Sequence, residues 1–145
     1  MNGRKREGGQ GLVEFALILP VLLLTVLLFM YVAQLFNTWS ALQAGAVAGA
    51  RQASDSGSVA GVETVVWDTL RAHAVDPADV TVTATVLNAD GSPKICPFSP
   101  CPVEFGDLVR VEVTKPFEIR VLDWRAAGQL PAGHQVRAQH GVWLP

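Results

Sequence analysis

Uncharged residues fill a long run near the N-terminal end of the chain. No charged residue lies between Glu14 and Arg51, and residues 15–36 of this run are almost entirely apolar. A helix needs about 20 apolar residues to cross the hydrocarbon core of a bilayer. Because residues 15–36 are apolar all round, they leave no polar face for the surface of a soluble domain. The pattern predicts a membrane-spanning helix.

Two other kinds of segment share this hydropathy pattern. A buried helix of a soluble protein would need a larger surrounding core than the rest of this short chain provides. A secretory signal peptide has an apolar region of about 7–15 residues, followed directly by a small-residue cleavage site. Here the apolar run is longer, and the best small-residue site, in residues 44–50, lies well beyond its end. A permanent membrane anchor is therefore the favoured interpretation.

The charges that flank the apolar run predict its orientation. Arg4, Lys5 and Arg6 precede it, and neutral residues follow it. Positively charged flanks stay on the cytoplasmic side of a membrane. We therefore expect a single-pass inner-membrane protein with a cytoplasmic N-terminus and with the chain after Phe36 outside. Trp39 would then lie at the outer headgroups, where aromatic side chains hold a helix in place.

Helical periodicity returns after the anchor and predicts one further helix. Asp55 and the serines that follow it have turn chemistry, so the long helix should end near Ala53. Residues 59–73 then show apolar positions at helical spacing, with Ser58 as the expected N-terminal cap. The apolar face of this second helix comprises Val59, Val62, Val66 and Leu70.

Alternation of apolar and polar residues predicts strands in the rest of the chain. Residues 80–86 alternate apolar residues with threonine, and residues 107–114 carry valine at every second position. Residues 117–121 are expected to form a third strand after Pro116, and residues 135–142 a fourth. A helix followed by antiparallel strands predicts a small extracytoplasmic α+β head. The expected organisation is a leader (1–9), a transmembrane helix with its extension (10–53) and the head (54–145).

Small residues form a stripe on the extension of the long helix. Ala41, Gly45 and Gly49 recur at every fourth position. Such a stripe allows close approach of another helix or sheet. Two interpretations remain open: the stripe packs against neighbouring subunits, or it packs against the chain's own head.

Composition narrows the range of functions. The chain has 145 residues, of which half are hydrophobic and 17% charged, and its mean hydropathy is +0.30. This length suits one domain and an anchor. A net charge of −2 and a pI of about 5.8 give no basic field that could hold nucleic acid. No catalytic motif, phosphate-binding loop or metal-ligand spacing occurs, so we expect neither an enzyme nor a cofactor.

The two cysteines form a close pair. Cys96 and Cys101 enclose four residues, two of which are prolines. A Cys-x-x-Cys redox spacing is absent, and the three histidines are scattered along the chain. Because the head is expected outside the cytoplasm, a structural disulfide is the natural state of this pair.

A glycine-rich leader joins the apolar run through a distinctive motif. Its residues are Gly9, Gln10, Val13, Glu14, Phe15, Ala16, Leu19 and Pro20. In this pattern the chain resembles the TadE-like pseudopilins of the tight-adherence (Flp) type IV pilus system. The resemblance covers about the first 50 residues, and the short chain favours TadE-like over TadF- or TadG-like relatives.

The resemblance implies a processing site and an assembly role. It implies cleavage between Gly9 and Gln10 by a prepilin peptidase, whose cleft must admit an extended and unhindered backbone. Because Gly8 and Gly11 are also glycines, the motif allows the cleaved bond to lie one or two positions away. Gly9 is preferred because it places the carboxylate of Glu14 at mature position five. The resemblance also implies that Glu14 and Phe15 take part in subunit assembly. The carboxylate of Glu14 would pair with the positively charged amino terminus of a neighbouring subunit.

The expected function is that of a membrane-anchored minor pseudopilin. Its partners would be the lipid bilayer, the prepilin peptidase and other pilus or pseudopilin subunits. The alternative is an unprocessed single-pass anchor whose extracytoplasmic head binds a partner. Leader processing distinguishes these two hypotheses, because an ordinary anchor has no reason to be cut beside Gly9.

Overall fold

The computed structural model describes residues 10–96, 100–121 and 124–138. In chain order, the elements are α1 (Gln10–Ser56), α2 (Val62–Ala72), β1 (Thr81–Leu87), β2 (Leu108–Val121) and β3 (Trp124–Arg137). The strands form one antiparallel sheet in the order β1-β2-β3. The α+β fold predicted from the sequence is confirmed.

The chain forms two compact units, Met1–Asn37 and Thr38–Pro145. In the first unit, the described part of α1 exposes its apolar side chains on every side; Leu24 is 65% exposed and Phe29 70%. This helix is long and apolar enough to cross a membrane. Apolar side chains that find no protein partner are stable in hydrocarbon and costly in water.

The core of the second unit lies between the two helices and one face of the sheet. Small residues of α1 allow the helix to approach closely, and β-branched residues of α2 and β2 fill the space opposite them. The most deeply buried members are Leu42, Ala46, Ala50, Ala53, Val66, Leu70, Val109, Val111 and Val113. The valine alternation in β2 therefore faces the core as predicted.

Both helix boundaries beside the first turn differ from the prediction. Helix α1 ends at Ser56 rather than near Ala53, and Gly57 follows with a φ of 67°, a conformation that stops a helix. Helix α2 begins at Val62, after Gly61 with a φ of 78°. The hydroxyl of Ser58 accepts a bond from the Ala60 N–H at 3.1 Å, so Ser58 closes a turn and does not cap α2.

The expected third strand is a continuation of β2. Pairing between β1 and β2 ends at Thr81 and Thr114, whereas β2 continues through Pro116 to Val121. Proline normally interrupts a sheet because it lacks an N–H donor. Pro116 lies beyond the end of β1, so its missing N–H removes no bond to that strand.

The expected fourth strand begins earlier than predicted. Strand β3 spans Trp124–Arg137, whereas alternation suggested residues 135–142, of which 139–142 lie outside the described residues. The segment 126–133 is rich in alanine, glycine and proline, which have low strand propensity. Its strand conformation comes from pairing with β2 along its whole length.

Candidate functional site

The N-terminal end of α1 carries the residues that the resemblance places in assembly. Gln10 is the first residue of the helix, and Gly9 lies outside the described residues. Glu14 is exposed one turn after Gln10, and Phe15 is 64% exposed. Within the described part of the chain, Glu14 has no ion-pair partner. An exposed carboxylate at this position can form an ion pair with a cationic group of another molecule.

The small residues of α1 pack against the chain's own head. A Cβ atom on Gly45 would lie 3.3 Å from Val66 Cγ1. A Cβ atom on Gly49 would lie 2.9 Å from Val66 Cγ2 and 3.0 Å from Val62 Cγ1. Ala41, the third member of the stripe, is also buried. Of the two interpretations left open by the sequence, the structure favours packing within the chain.

Two side chains of α1 donate hydrogen bonds to β3, which is an edge strand of the sheet. Trp39 Nε1 donates to the carbonyl oxygen of Pro131 at 3.3 Å, and Gln43 Nε2 donates to that of Gly133 at the same distance. A sheet edge presents unpaired backbone groups that invite aggregation. These bonds satisfy two of them and fix β3 beside α1. Sequence reasoning placed Trp39 only at the headgroups, because its partner lies 92 residues away.

Cys96 and Cys101 form the predicted disulfide, with their Cα atoms 5.3 Å apart. The chain at and after Cys101 is attached to the connection between the helices. The N–H of Val59 donates to the carbonyl of Cys101 at 3.4 Å, and the N–H of Val103 donates to that of Gly57 at 2.8 Å. Cys101 and Val103 are thus fixed to the part of the head where α1 ends.

A charged cluster joins the chain before Cys96 to the chain after Cys101. Lys94 Nζ lies 2.7 Å from Asp107 Oδ2 and 3.2 Å from Glu104 Oε2. Burial alone lowers the pKa of Lys94, but its hydrogen bonds to the two carboxylates outweigh this effect and raise the pKa overall. The sequence gave no signal for this cluster, because its members are scattered and match no motif.

We expect Lys94→Met to lower the free energy of unfolding by about 2 kcal/mol at neutral pH, because Asp107 would stay buried without its cation. A raised folded-state pKa means that this stabilisation is complete below the ordinary lysine pKa of about 10.4. It is lost as the pH rises through the folded-state value. Urea unfolding in detergent from pH 7 to pH 11 should therefore show the two proteins converging at the alkaline end.

Arg71→Met is the matched control for this variant. Arg71 pairs with Asp68 at 3.2 Å, but both side chains are more than 60% exposed. Exposed pairs contribute little to stability, so this change should be nearly neutral. Equal effects of the two substitutions at every pH would contradict the role given to Lys94.

Polar groups do not assemble into a metal site in the described part of the chain. No group of three or more histidine, cysteine, aspartate or glutamate residues there could hold an ion. His73 is exposed and His134 half-buried in the sheet, while His140 lies outside the described residues.

Comparison with known proteins identifies a family that the N-terminal part of the chain resembles. The family model described as TadE-like protein matches residues 9–51. The matched segment begins at Gly9 and contains Glu14, Phe15 and the small-residue stripe. Neither curated proteins nor solved structures gave a significant match. The family match confirms the resemblance seen in the motif: residues 9–51 of this chain are similar to TadE-like proteins.

Proposed function

We propose that this chain is a membrane-anchored minor pseudopilin that takes part in assembly of a tight-adherence pilus. The observation that carries the proposal is the TadE-like match over residues 9–51, which covers the exposed apolar part of α1. A subunit of this kind needs an apolar helix to remain in the membrane and a folded head outside it. No catalytic chemistry is required of the head, which serves as a binding and packing surface.

The anchor is proposed to lie in the inner membrane with its N-terminus in the cytoplasm. The basic residues Arg4, Lys5 and Arg6 support this orientation through the positive-inside rule. The disulfide between Cys96 and Cys101 also supports it, because such bonds persist in oxidising spaces outside the cytoplasm. The apolar surface of residues 15–36 then meets lipid instead of water.

Prepilin peptidase is proposed to remove residues 1–9. Cleavage after Gly9 would leave Gln10, the first residue of α1, as the new amino terminus. The mature chain would then begin with a positively charged amino group directly at the helix start. This charge lies at the edge of an apolar segment, where an ionised group is costly unless it is paired.

Glu14 is proposed to supply that pairing between subunits. Its side chain is exposed and has no ion-pair partner among the described residues. In a medium of low dielectric constant, a carboxylate and an amino group attract each other strongly, and each offsets the other's desolvation. Phe15 beside it is 64% exposed and adds an apolar contact surface.

We expect Glu14→Ala to weaken subunit association about tenfold or more while leaving the protein in the membrane. Removing the carboxylate eliminates the partner of a neighbouring amino terminus, but it also eases insertion of the helix. Co-purification of tagged chain with other pilus components from detergent-solubilised membranes measures association, and the membrane fraction of the chain measures insertion.

Glu63→Ala is the matched control, because Glu63 is an exposed carboxylate in α2 of the head. This variant should co-purify like the wild type. Undiminished co-purification of Glu14→Ala would contradict the assembly role of Glu14. Loss of both variants from the membrane would point to a general defect in insertion.

A further inference from the structure

The two edges of the sheet differ in how their backbone groups are satisfied. At the β3 edge, the carbonyl oxygens of Pro131 and Gly133 accept hydrogen bonds from α1, and Pro131 itself has no N–H. Strand β1 forms the other edge and contains neither a charged residue nor a proline. Proteins commonly protect an exposed edge with charges, prolines or a covering element, because an unpaired edge can accept another strand. The edge of β1 lacks the first two kinds of protection.

The open part of β1 follows from a hydrogen bond near the end of the strand. The carbonyl of Val86 accepts from the N–H of Lys94 at 3.0 Å, on the side of β1 that faces away from β2. The N–H and C=O of one residue in a strand point to the same side, and successive residues alternate between the two sides. Val82 and Ala84 therefore also direct their backbone groups away from β2. In the described part of the chain, no hydrogen bond reaches these groups.

The arrangement of these groups matches an extended peptide backbone. Val82 and Ala84 lie two residues apart, so their N–H and C=O groups repeat at about 6.6 Å, the spacing of another strand. In recognition by strand addition, backbone hydrogen bonds provide affinity and pockets for alternate side chains provide specificity. The side chains of Val82 and Ala84 are half-buried against the core. An added strand would cover more of this apolar surface.

A cavity of about 370 Å³ lies at the start of β1. Its lining comprises Trp67, Arg71, Asp76, Pro77, Ala78 and Val80. The connection between α2 and β1 forms one wall and is held by hydrogen bonds. Lys115 Nζ donates to the carbonyl oxygen of Asp76 at 2.6 Å, and the Ala78 N–H donates to Asp76 Oδ1 at 3.0 Å. The cavity is therefore already formed, two residues before the open groups of Val82.

The cavity combines apolar surface with uncompensated negative charge. Trp67 and Pro77 contribute the apolar surface. Asp76 and Asp79 are exposed and have no ion-pair partner in the described part of the chain, whereas Arg71 is already engaged in an ion pair. A lysine or arginine side chain matches both features, because its stem packs on apolar surface and its charged group interacts with carboxylates and aromatic rings.

Trp67 adds an independent sign that a group is missing from this cavity. Its Nε1 atom is buried and has no hydrogen-bond partner among the described residues. A buried donor without an acceptor is destabilising and uncommon in folded proteins. Because the atom is buried, the ring would have to rotate to meet an acceptor in the cavity. A backbone carbonyl of a bound peptide supplies such an acceptor.

We propose that β1 accepts an extended segment of a partner protein as a fourth strand of the sheet, with a lysine or arginine side chain of that segment in the cavity beside Trp67. A second copy of β1 would not supply this side chain, because Thr81–Leu87 contains no basic residue. The proposal concerns the head alone. It depends neither on a membrane span in residues 15–36 nor on cleavage after Gly9, and it gives the head a defined binding surface.

Binding of synthetic peptides to the full chain in detergent tests this proposal. The probe is a capped peptide of alternating valine and threonine with one central lysine, and a second peptide carries glutamate in place of the lysine. Fluorescence anisotropy of labelled peptide measures affinity. The lysine peptide should bind about fivefold more tightly than the glutamate peptide. Hydrogen exchange followed by NMR should show the amides of Val82 and Ala84 slowed about tenfold at saturation.

Two proline variants test the edge. Ala84→Pro removes an open N–H but no hydrogen bond to β2, so it should weaken binding of the lysine peptide about tenfold or more. Gln135→Pro is the matched control on the opposite edge. Gln135 is exposed and lies two residues after Gly133, so its N–H also points away from β2. This variant should bind the peptide like the wild type.

Two carboxylate variants test the cavity. Asp79→Asn should reduce the preference for the lysine peptide over the glutamate peptide about threefold, because one of the two uncompensated charges beside the cavity is lost. Glu63→Gln is the matched control, since Glu63 is an exposed carboxylate in the first turn of α2 and does not line the cavity. This variant should keep the full preference.

Four results would overturn the proposal. The first is unchanged exchange of the Val82 and Ala84 amides at millimolar lysine peptide, which is measured on the wild-type chain and stays decisive if a proline variant fails to fold. The second is equal binding by the two folded proline variants, and the third is equal affinity for the two peptides. The fourth is protection of these amides that grows with chain concentration in the absence of peptide, which would identify a second copy as the occupant. None of these results bears on the association defect expected of Glu14→Ala, so the proposed function is tested separately.

Discussion

Gly49→Leu should destroy the cooperative unfolding transition of the head or reduce its free energy of unfolding by more than 3 kcal/mol. A single Cβ atom at this position would already lie 2.9 Å from Val66 Cγ2 and 3.0 Å from Val62 Cγ1. Leucine adds three further carbon atoms where Val111 closes the remaining side at 3.5 Å. Overpacking of a core by smaller amounts costs about 1–3 kcal/mol. Thermal unfolding followed by circular dichroism in detergent measures the change.

A graded series makes this prediction specific to packing. Gly49→Ala should have a smaller effect, because the ends of two valine side chains can move slightly and alanine favours the helix by up to about 1 kcal/mol. Gly11→Leu should leave the head unchanged, since no atom lies within 4 Å of a Cβ at Gly11. A Gly49→Leu head that melts like the wild type would show that α1 does not pack closely on α2.

Gly9→Leu should convert the chain from fully processed to almost entirely unprocessed. The resemblance places Gly9 immediately before the bond that prepilin peptidase cuts, and a branched side chain there would obstruct the extended backbone in the protease cleft. The product would be heavier by the nine-residue leader. Intact-mass measurement of chain extracted from membranes distinguishes the two forms.

Gly11→Leu is the companion variant, because Gly11 lies beyond the preferred bond and is exposed in α1. It should be processed like the wild type. A block by Gly11→Leu but not by Gly9→Leu would move the cleavage bond toward Gly11. Normal processing of all glycine variants would remove the basis for a prepilin-type leader.

Local patterns in the sequence predicted much of the fold. The apolar run predicted the long helix, and helical spacing predicted that Val62, Val66 and Leu70 share a buried face. Alternation predicted β1 and the first half of β2. Spacing and the expected compartment predicted the disulfide. In each case the signal lies within a few residues of the feature.

Features determined by distant partners were not predictable in this way. The segment 126–133 has poor strand propensity and becomes a strand through its pairing with β2. Pro116 suggested an interruption, but the end of β1 at Thr81 makes its missing N–H harmless. The stripe of Gly45 and Gly49 could not be assigned to a partner until Val66 was seen against it.

In the candidate functional site, too, residues close together in the sequence were predictable and contacts between distant residues were not. Gln10, Glu14 and Phe15 are adjacent along one helix, so a motif could identify them. The bonds of Trp39 and Gln43 to β3 and the cluster around Lys94 depend on contacts between distant segments. Gly9 lies outside the described residues, and its role therefore remains a prediction.

The N-terminal residue of the wild-type chain is the most direct test of its proposed identity as a pseudopilin. Chain extracted from the membranes of cells that contain prepilin peptidase should begin at Gln10, and chain from cells that lack the enzyme should begin at Met1. N-terminal sequencing with intact-mass measurement gives both results. A chain that begins at Met1 in the presence of the peptidase would contradict the pseudopilin function and leave an unprocessed membrane anchor with a binding head.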